Sequence, residues 1–245
     1  MRDDAYQEPL SATKSKKMKY IIFDIDGTLT NTTDIDDKCY IESFGKYFNV
    51  SIKDISWNQL KNVTDWGITE ELIELKCKKK STKPDIENLN KLFLKRIKDE
   101  FKINKSNFNE IQGATKFYNF VKSEPELKIG IATGGWEETA TFKLNAIGIN
   151  PNEVCFSNSS QFKKREDITL DVIKQLNSKY YENPDEIIYF GDGEWDLRTC
   201  KNLNIRFIGI DNNNTGKLSK IGAKEVFQDY KKPNIIMNSI KSSSR

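Results

Sequence analysis

Histidine is absent from all 245 residues. Its absence excludes the Ser-His-Asp and Cys-His relays, the H-E-x-x-H zinc site and any histidine general base. Catalysis in this chain has to rest on carboxylates, lysine, hydroxyls or a hard cation held by oxygen. Cysteine is sparse: Cys39, Cys77, Cys155 and Cys200 form no C-x-x-C pair. They read as small buried hydrophobes in a reducing compartment, and a cytoplasmic location is expected. No stretch of about 18 apolar residues occurs, so no transmembrane helix is expected. The N-terminus, MRDDAYQEPLSATKSKK, lacks an apolar h-region and reads as a flexible polar tail over 1–17. A net charge of +3, from 39 basic and 36 acidic residues, gives no case for a nucleic-acid partner.

What is present begins at MKYIIFDIDGTLT, residues 18–30. The apolar run from Tyr20 to Phe23 reads as a buried strand. It ends in Asp24 and Asp26, then Gly27. Two carboxylates at the end of a buried strand are costly unless paired, hydrogen-bonded or on a metal. In a two-residue repeat they lie on the same side of the chain, and Gly27 permits a sharp turn after them. The arrangement suits a nucleophile and a proton donor beside a bound cation.

Four more apolar segments read as strands: 128–133, 154–157, 186–190 and 205–210. Helical spacings of three and four occur at 114–122, 139–146 and 168–176. Strands alternating with helices predict an α/β fold with a mostly parallel, doubly wound sheet of the Rossmann kind, which binds ligands beyond the carboxyl ends of its strands. Residues 31–112 break the rhythm. Helical patterns at 34–48, 68–76 and 86–101, with Asp34 as a candidate N-cap and Pro84 near the third start, predict an all-helical insertion. The core is then expected at 18–30 and 113–240, the helical domain at 31–112, and a short C-terminal tail at 241–245.

Three further motifs follow in order. Thr133-Gly134-Gly135 ends the second strand just before a helix, where a hydroxyl and backbone N–H groups can cradle phosphate. Taken alone, Gly-Gly after a strand is more often a turn. Lys163-Lys164-Arg165 precedes the helix near Glu166 and places a cation within reach of a phosphate; by itself it reads as surface charge. Gly191-Asp192-Gly193-Glu194-Trp195-Asp196 follows the fourth strand, with Asp192 standing where Asp24 stands on its own strand. An EF-hand is excluded, because the glycine of DIDGT falls at loop position four and DNNNTG has no acidic residue at position twelve.

The ordered set of strand-DxDGT, strand-Thr, basic residue and strand-GDxxxD resembles the haloacid dehalogenase superfamily of phosphohydrolases, in its phosphoglycolate-phosphatase-like form with a helical cap. The resemblance implies Asp24 as nucleophile and Asp26 as general acid and base. It implies Mg²⁺ held by Asp24, the carbonyl of Asp26 and Asp192, with Asp196 holding the metal shell or orienting the basic residue. Thr133 and Gly134, with Gly135 beside them, would bind the transferring phosphoryl group. The cation position is shared among Lys163, Arg165 and Lys164: the family often has Lys-Pro-x-Pro-Asp there, which favours Lys163, but both prolines are missing. Asp26 favours phosphate-ester chemistry over carbon–halogen or carbon–phosphorus cleavage. Thr64-Asp65-Trp66 resembles a cap loop of such phosphatases and is expected to face the site, although Trp66 also reads as a cap-core aromatic and Asp65 as a helix cap.

The expected activity is Mg²⁺-dependent hydrolysis of a small phosphorylated metabolite through an aspartyl-phosphate, by a monomer or homodimer. A phosphosugar mutase of the same fold and a non-catalytic binding module are the alternatives.

Overall fold

The computed structural model describes residues 17–181 and 183–242. Most of the expected N-terminal tail and the last three residues lie outside them. In chain order the elements are β1 (Lys19–Phe23), α1 (Thr33–Phe48), α2 (Asp65–Cys77), α3 (Lys83–Ile103), α4 (Ala114–Ser123), β2 (Leu127–Ala132), α5 (Glu137–Ala146), β3 (Cys155–Ser157), α6 (Arg165–Tyr180), β4 (Glu186–Gly191), α7 (Glu194–Leu203), β5 (Arg206–Ile210), α8 (Lys217–Lys220), β6 (Val226–Phe227) and α9 (Pro233–Lys241).

All strand pairs are parallel, in the order β3-β2-β1-β4-β5-β6. Parallel sheets are covered on both faces, and β1 accordingly reads as one continuous apolar run, buried throughout. Its side chains alternate. Ile21 and Phe23 join a cluster with Phe117 and Val121 of α4, Leu144 of α5 and Ile236 of α9. Tyr20 and Ile22 join a second, with Val172 and Leu176 of α6 and Leu197 of α7. The chain leaves β1 toward β2 and β3, then returns to the other side of β1 through β4. That reversal opens a crevice beyond the carboxyl ends of β1 and β4, where Phe23 pairs with Phe190.

Helices α1 to α3 hold a third cluster, built on Tyr40, Phe44, Leu72, Phe93 and Ile97 and completed by Trp136 from the loop after β2. Helix α3 opens with a capping box, Thr82 with Asp85, and has Pro84 in its first turn. The expectation of Asp34 as N-cap of α1 is corrected. Thr32 occupies that position, and Asp34 lies inside the first turn, where its charge suits the helix dipole. Thr32 makes no side-chain cap because its hydroxyl is turned to Asp26. Gly113, the expected return point, starts α4 at φ 84°, and a Cβ there would stand 3.1 Å from the Tyr230 carbonyl.

Candidate active site

Strand β1 ends at Phe23, and the next residue, Asp24, is buried with its N–H on the carbonyl of Phe190. Strand β4 ends at Gly191, so Asp192 arrives beside it at the neighbouring strand end. The first turn of α7 then adds Asp196. Carboxylate oxygens of Asp24, Asp192 and Asp196 all lie within 4.8 Å of one another, and all three residues are buried. Gly27 makes the approach possible. It sits at φ 73°, and a Cβ there would meet Asp192 Oδ2 at 2.3 Å.

The charges are unevenly matched. Arg165, the first residue of α6, donates Nη1 to Asp196 Oδ1 at 2.7 Å and stands 3.5 Å from Asp24 Oδ1. Asp196 also accepts the N–H of Gly193 at 3.0 Å. Asp24 Oδ1, in contrast, is buried and accepts no hydrogen bond. Burial, followed by the Asp196 charge, pushes the Asp24 carboxyl well above the ordinary aspartate range, against the pull of Arg165. Burial and Asp196 likewise push Asp192 up to about 7. One guanidinium among three buried carboxylates leaves excess negative charge, which a divalent cation with oxygen ligands would relieve. The donor set and the uncommitted Asp24 oxygen therefore fit a hard dication.

Asp26 is held differently. Its Oδ1 accepts the Thr32 hydroxyl at 2.5 Å, and its Oδ2 accepts Lys143 Nζ at 2.5 Å. Lys143 comes from α5, is fully buried, and donates also to Asp36 Oδ1 of α1 at 2.7 Å. Burial works against its charge, but Asp26 and Asp36 outweigh burial and hold the ammonium above the ordinary lysine range.

On the β2 side, Thr133 is buried, and its Oγ1 accepts the N–H of Gly135 at 3.2 Å. The loop 63–65 closes over it. Asp65 N–H donates to the Gly134 carbonyl at 2.7 Å, Thr64 Oγ1 to the Lys163 carbonyl at 2.8 Å, and Arg165 Nε to the Val63 carbonyl at 2.7 Å. Thr64 also caps α2 through the N–H of Gly67. Asp65 is no cap; its Oδ2 accepts the N–H of Trp136 at 2.8 Å. Burial pushes the Asp65 carboxyl up to about 7, opposed by Lys143 and by that hydrogen bond. At roughly 1 kcal/mol each, these bonds hold the helical segment firmly but reversibly against the sheet.

One cleft of about 100 Å³ brings together Asp24, Asp26, Thr64, Asp65, Thr133, Gly134, Gly135, Arg165 and Asp192. Asp196 lies behind it on Arg165. Two expected residues stand elsewhere. The sequence favoured Lys163 as the cation beside Asp24, but its ammonium lies 2.8 Å from Glu70 and stacks over the Trp66 ring at 5.0 Å. Arg165 takes the inward position because α6 starts there, and Lys164 is exposed. Trp66 donates its indole N–H to Glu70 at 3.1 Å and lines a separate cavity with Ser81, Thr82 and Trp136. The indole of Trp136, not Trp66, is the one buried in the helical cluster.

The cleft also includes residues that the sequence reading missed: Asp36, Asp37, Tyr40, Trp57 and Trp195. The signal for Lys143 was available. It shares a face of α5 with buried Ala140 and Thr139, at spacings of three and four, and a charge on a buried stripe is the informative exception.

A parallel Rossmann-like sheet with carboxylates at adjacent central strand ends makes this an α/β protein with an aspartate-lined site beyond its strand ends. Residues 21–210 match the family model described as haloacid dehalogenase-like hydrolase, and the chain belongs to that family. No curated protein matches it. Among solved structures it is similar to a hydrolase from Pseudomonas syringae, at 20% identity and a TM-score of 0.69, over 93% of this chain and 100% of that one. It is similar to CbbY from Rhodobacter sphaeroides in complex with phosphate, at 16% identity and TM-score 0.65, over 88% of this chain and 96% of that one. It is also similar to a predicted phosphoglycolate phosphatase from Haemophilus somnus 129pt, at 14% identity and TM-score 0.61, over 92% and 99%. No helix among the described residues is long and apolar enough to cross a membrane.

Proposed function

We propose that this hydrolase is a Mg²⁺-dependent phosphatase acting on a small phosphorylated metabolite through an aspartyl-phosphate on Asp24. The observation that carries the reading is the buried, uncommitted Oδ1 of Asp24, set 3.5 Å from Arg165 at the end of the central strand. CbbY, whose solved structure is described as a complex with phosphate, shares the fold and adds support.

In the first step Asp24 Oδ1 attacks phosphorus, and the bond from phosphorus to the leaving oxygen breaks. Asp26 gives its proton to that oxygen. In the second step water attacks the phosphorus, Asp26 takes a proton from the water, and the bond to Asp24 breaks. Arg165, Thr133 and the backbone at Gly134 hold the transferring phosphoryl group, and Asp196 orients Arg165. Asp24, the carbonyl of Asp26 and Asp192 would hold Mg²⁺, which when bound offsets the repulsion between the Asp24 anion and the phosphate. Residues 31–112 act as a cap that limits water at the site, and the small cleft suits a metabolite rather than a phosphoprotein. The four cysteines are free thiols, which suits a reducing, cytoplasmic setting.

The test is phosphate release from 4-nitrophenyl phosphate and a panel of small phosphorylated metabolites, with Mg²⁺ and with EDTA. Metal-dependent release is expected, reduced at least about a thousandfold in Asp24→Asn, because an amide is a poor nucleophile. Isomerised product without free phosphate would identify a mutase, and no turnover of any ester would point to a binding module.

A further inference from the structure

We infer that Lys143 is a positioning residue for Asp26: clamped between the carboxylates of Asp26 and Asp36, it sets where the proton donor of the reaction stands. The inference rests on the phosphatase reading of the site. Lys143 emerges from the buried face of α5, beside Ala140 and Leu144, and is itself fully buried. A buried ammonium is expensive, and a well-packed apolar side chain in its place often does as well or better for stability. Packing alone gives no reason for a lysine at this point on the stripe.

The geometry gives one. The ammonium reaches Asp26 Oδ2 at 2.5 Å and Asp36 Oδ1 at 2.7 Å, while the Thr32 hydroxyl takes Asp26 Oδ1 at 2.5 Å. Both oxygens of Asp26 thus accept from donors in the ionised form, the one that takes a proton from water; when Oδ1 carries that proton to the leaving oxygen, Lys143 still holds Oδ2 and so fixes the carboxyl. Asp26 is also the least buried of the carboxylates in the DxDGT turn, with its side chain 21% exposed, so this clamp replaces the packing that holds Asp24. Asp36 belongs to α1, so Lys143 ties three segments together: the turn after β1, the first helix of the cap and the helix after the phosphate loop. Placement errors near 1 Å at a proton donor cost on the order of a hundredfold in rate.

A purely structural staple and a positioning residue differ in what they do to different leaving groups. A nitrophenolate departs without a proton, whereas an alkoxide needs one. The experiment compares wild type, Asp26→Asn, Lys143→Met and the double variant Lys143→Met/Asp36→Asn on 4-nitrophenyl phosphate and on glycerol 2-phosphate. The double variant removes the partner carboxylate and so protects folding if the single change does not fold; circular dichroism checks both. The expected result is a selective loss. In either Lys143 variant kcat/KM on glycerol 2-phosphate, which reports the step in which the alcohol leaves, falls about a hundredfold, and kcat/KM on 4-nitrophenyl phosphate falls less than about tenfold. Asp26→Asn should show the same asymmetry, larger. Equal losses on both esters, or no loss on either, overturn the inference while leaving the phosphatase reading intact. A wild-type protein that releases phosphate from neither these two esters nor any member of the metabolite panel overturns both.

Discussion

Arg165 leans on Asp196 rather than on Asp24: its Nη1 is 2.7 Å from the first carboxylate and 3.5 Å from the second. Asp196 thereby anchors the guanidinium, and Asp24 keeps an oxygen with no hydrogen bond. The same guanidinium reaches the Val63 carbonyl through Nε.

Arg165→Lys should therefore lower kcat/KM by at least about tenfold, because a single ammonium cannot serve Asp196, Val63 and a phosphoryl group at once. Lys163→Ala should stay within about threefold of wild type, since its ion pair with Glu70 is an exposed one of little worth. Steady-state kinetics on one ester decide it. A larger effect at Lys163 than at Arg165 would reverse the assignment of the cation.

Gly27→Ala is expected to fold and to bind metal poorly. A left-handed φ of 73° costs a non-glycine residue about 1 kcal/mol, and the new Cβ would press on Asp192 Oδ2. The Mg²⁺ concentration for half-maximal activity should rise about tenfold or more. An unchanged metal titration would dissociate Asp192 from the metal.

Asp37 gives a pH-dependent stability effect. Burial pushes its carboxyl up to about 6, the Trp57 indole hydrogen bond opposing and the Asp26 and Asp34 charges adding. A carboxyl raised in the folded state stabilises folding fully below its unfolded value, near 4, and that contribution is lost as pH rises through about 6. Asp37→Asn should then have a higher Tm than wild type at pH 7, and the advantage should vanish by about pH 4. Thermal melts across that range test it, and an advantage that grew toward acid pH would contradict the sign.

The cleft lining carries its own selectivity. Asp24, Asp26, Asp36, Asp37, Asp65 and Asp192 line the cleft with Arg165 as the single basic lining residue, and the Lys143 and Lys217 ammoniums behind them leave the carboxylates still in excess. A substrate bringing a second anion would meet carboxylates around its alcohol half, where like charges about 4 Å apart repel by up to roughly 4 kcal/mol at intermediate dielectric. Esters of neutral or ammonium-bearing alcohols should exceed bisphosphates and carboxylated esters in kcat/KM by at least about tenfold. Equal rates across that charge series would mean that the lining aspartates are neutral or masked when substrate binds.

The sheet was legible because its strands are apolar on both faces and long enough to show it. Strands β1 to β5 were expected within a residue or so at either end. Strand β6 is only two residues, Val226 and Phe227, too short for any periodicity. The Lys-Pro-x-Pro-Asp pattern favoured Lys163, but without its prolines helix α6 starts at Arg165, and in a Lys-Lys-Arg run the helix start decides which residue turns inward. The carboxylates Asp24, Asp26 and Asp192 could be read from sequence because strand ends place them. Asp36 and Asp37 could not, and Lys143 showed only as a charge on the buried face of α5, because its meeting with Asp26 and Asp36 depends on tertiary packing.

The loop at 63–65 shows how such a lid can diversify. The donors that seat it end on the carbonyls of Gly134, Lys163 and Val63. Main-chain oxygens are present whatever side chain a position carries. Closure is thus indifferent to the side chains of Lys163 and Val63, and rests instead on the Thr64 hydroxyl and the Arg165 guanidinium that donate to their carbonyls.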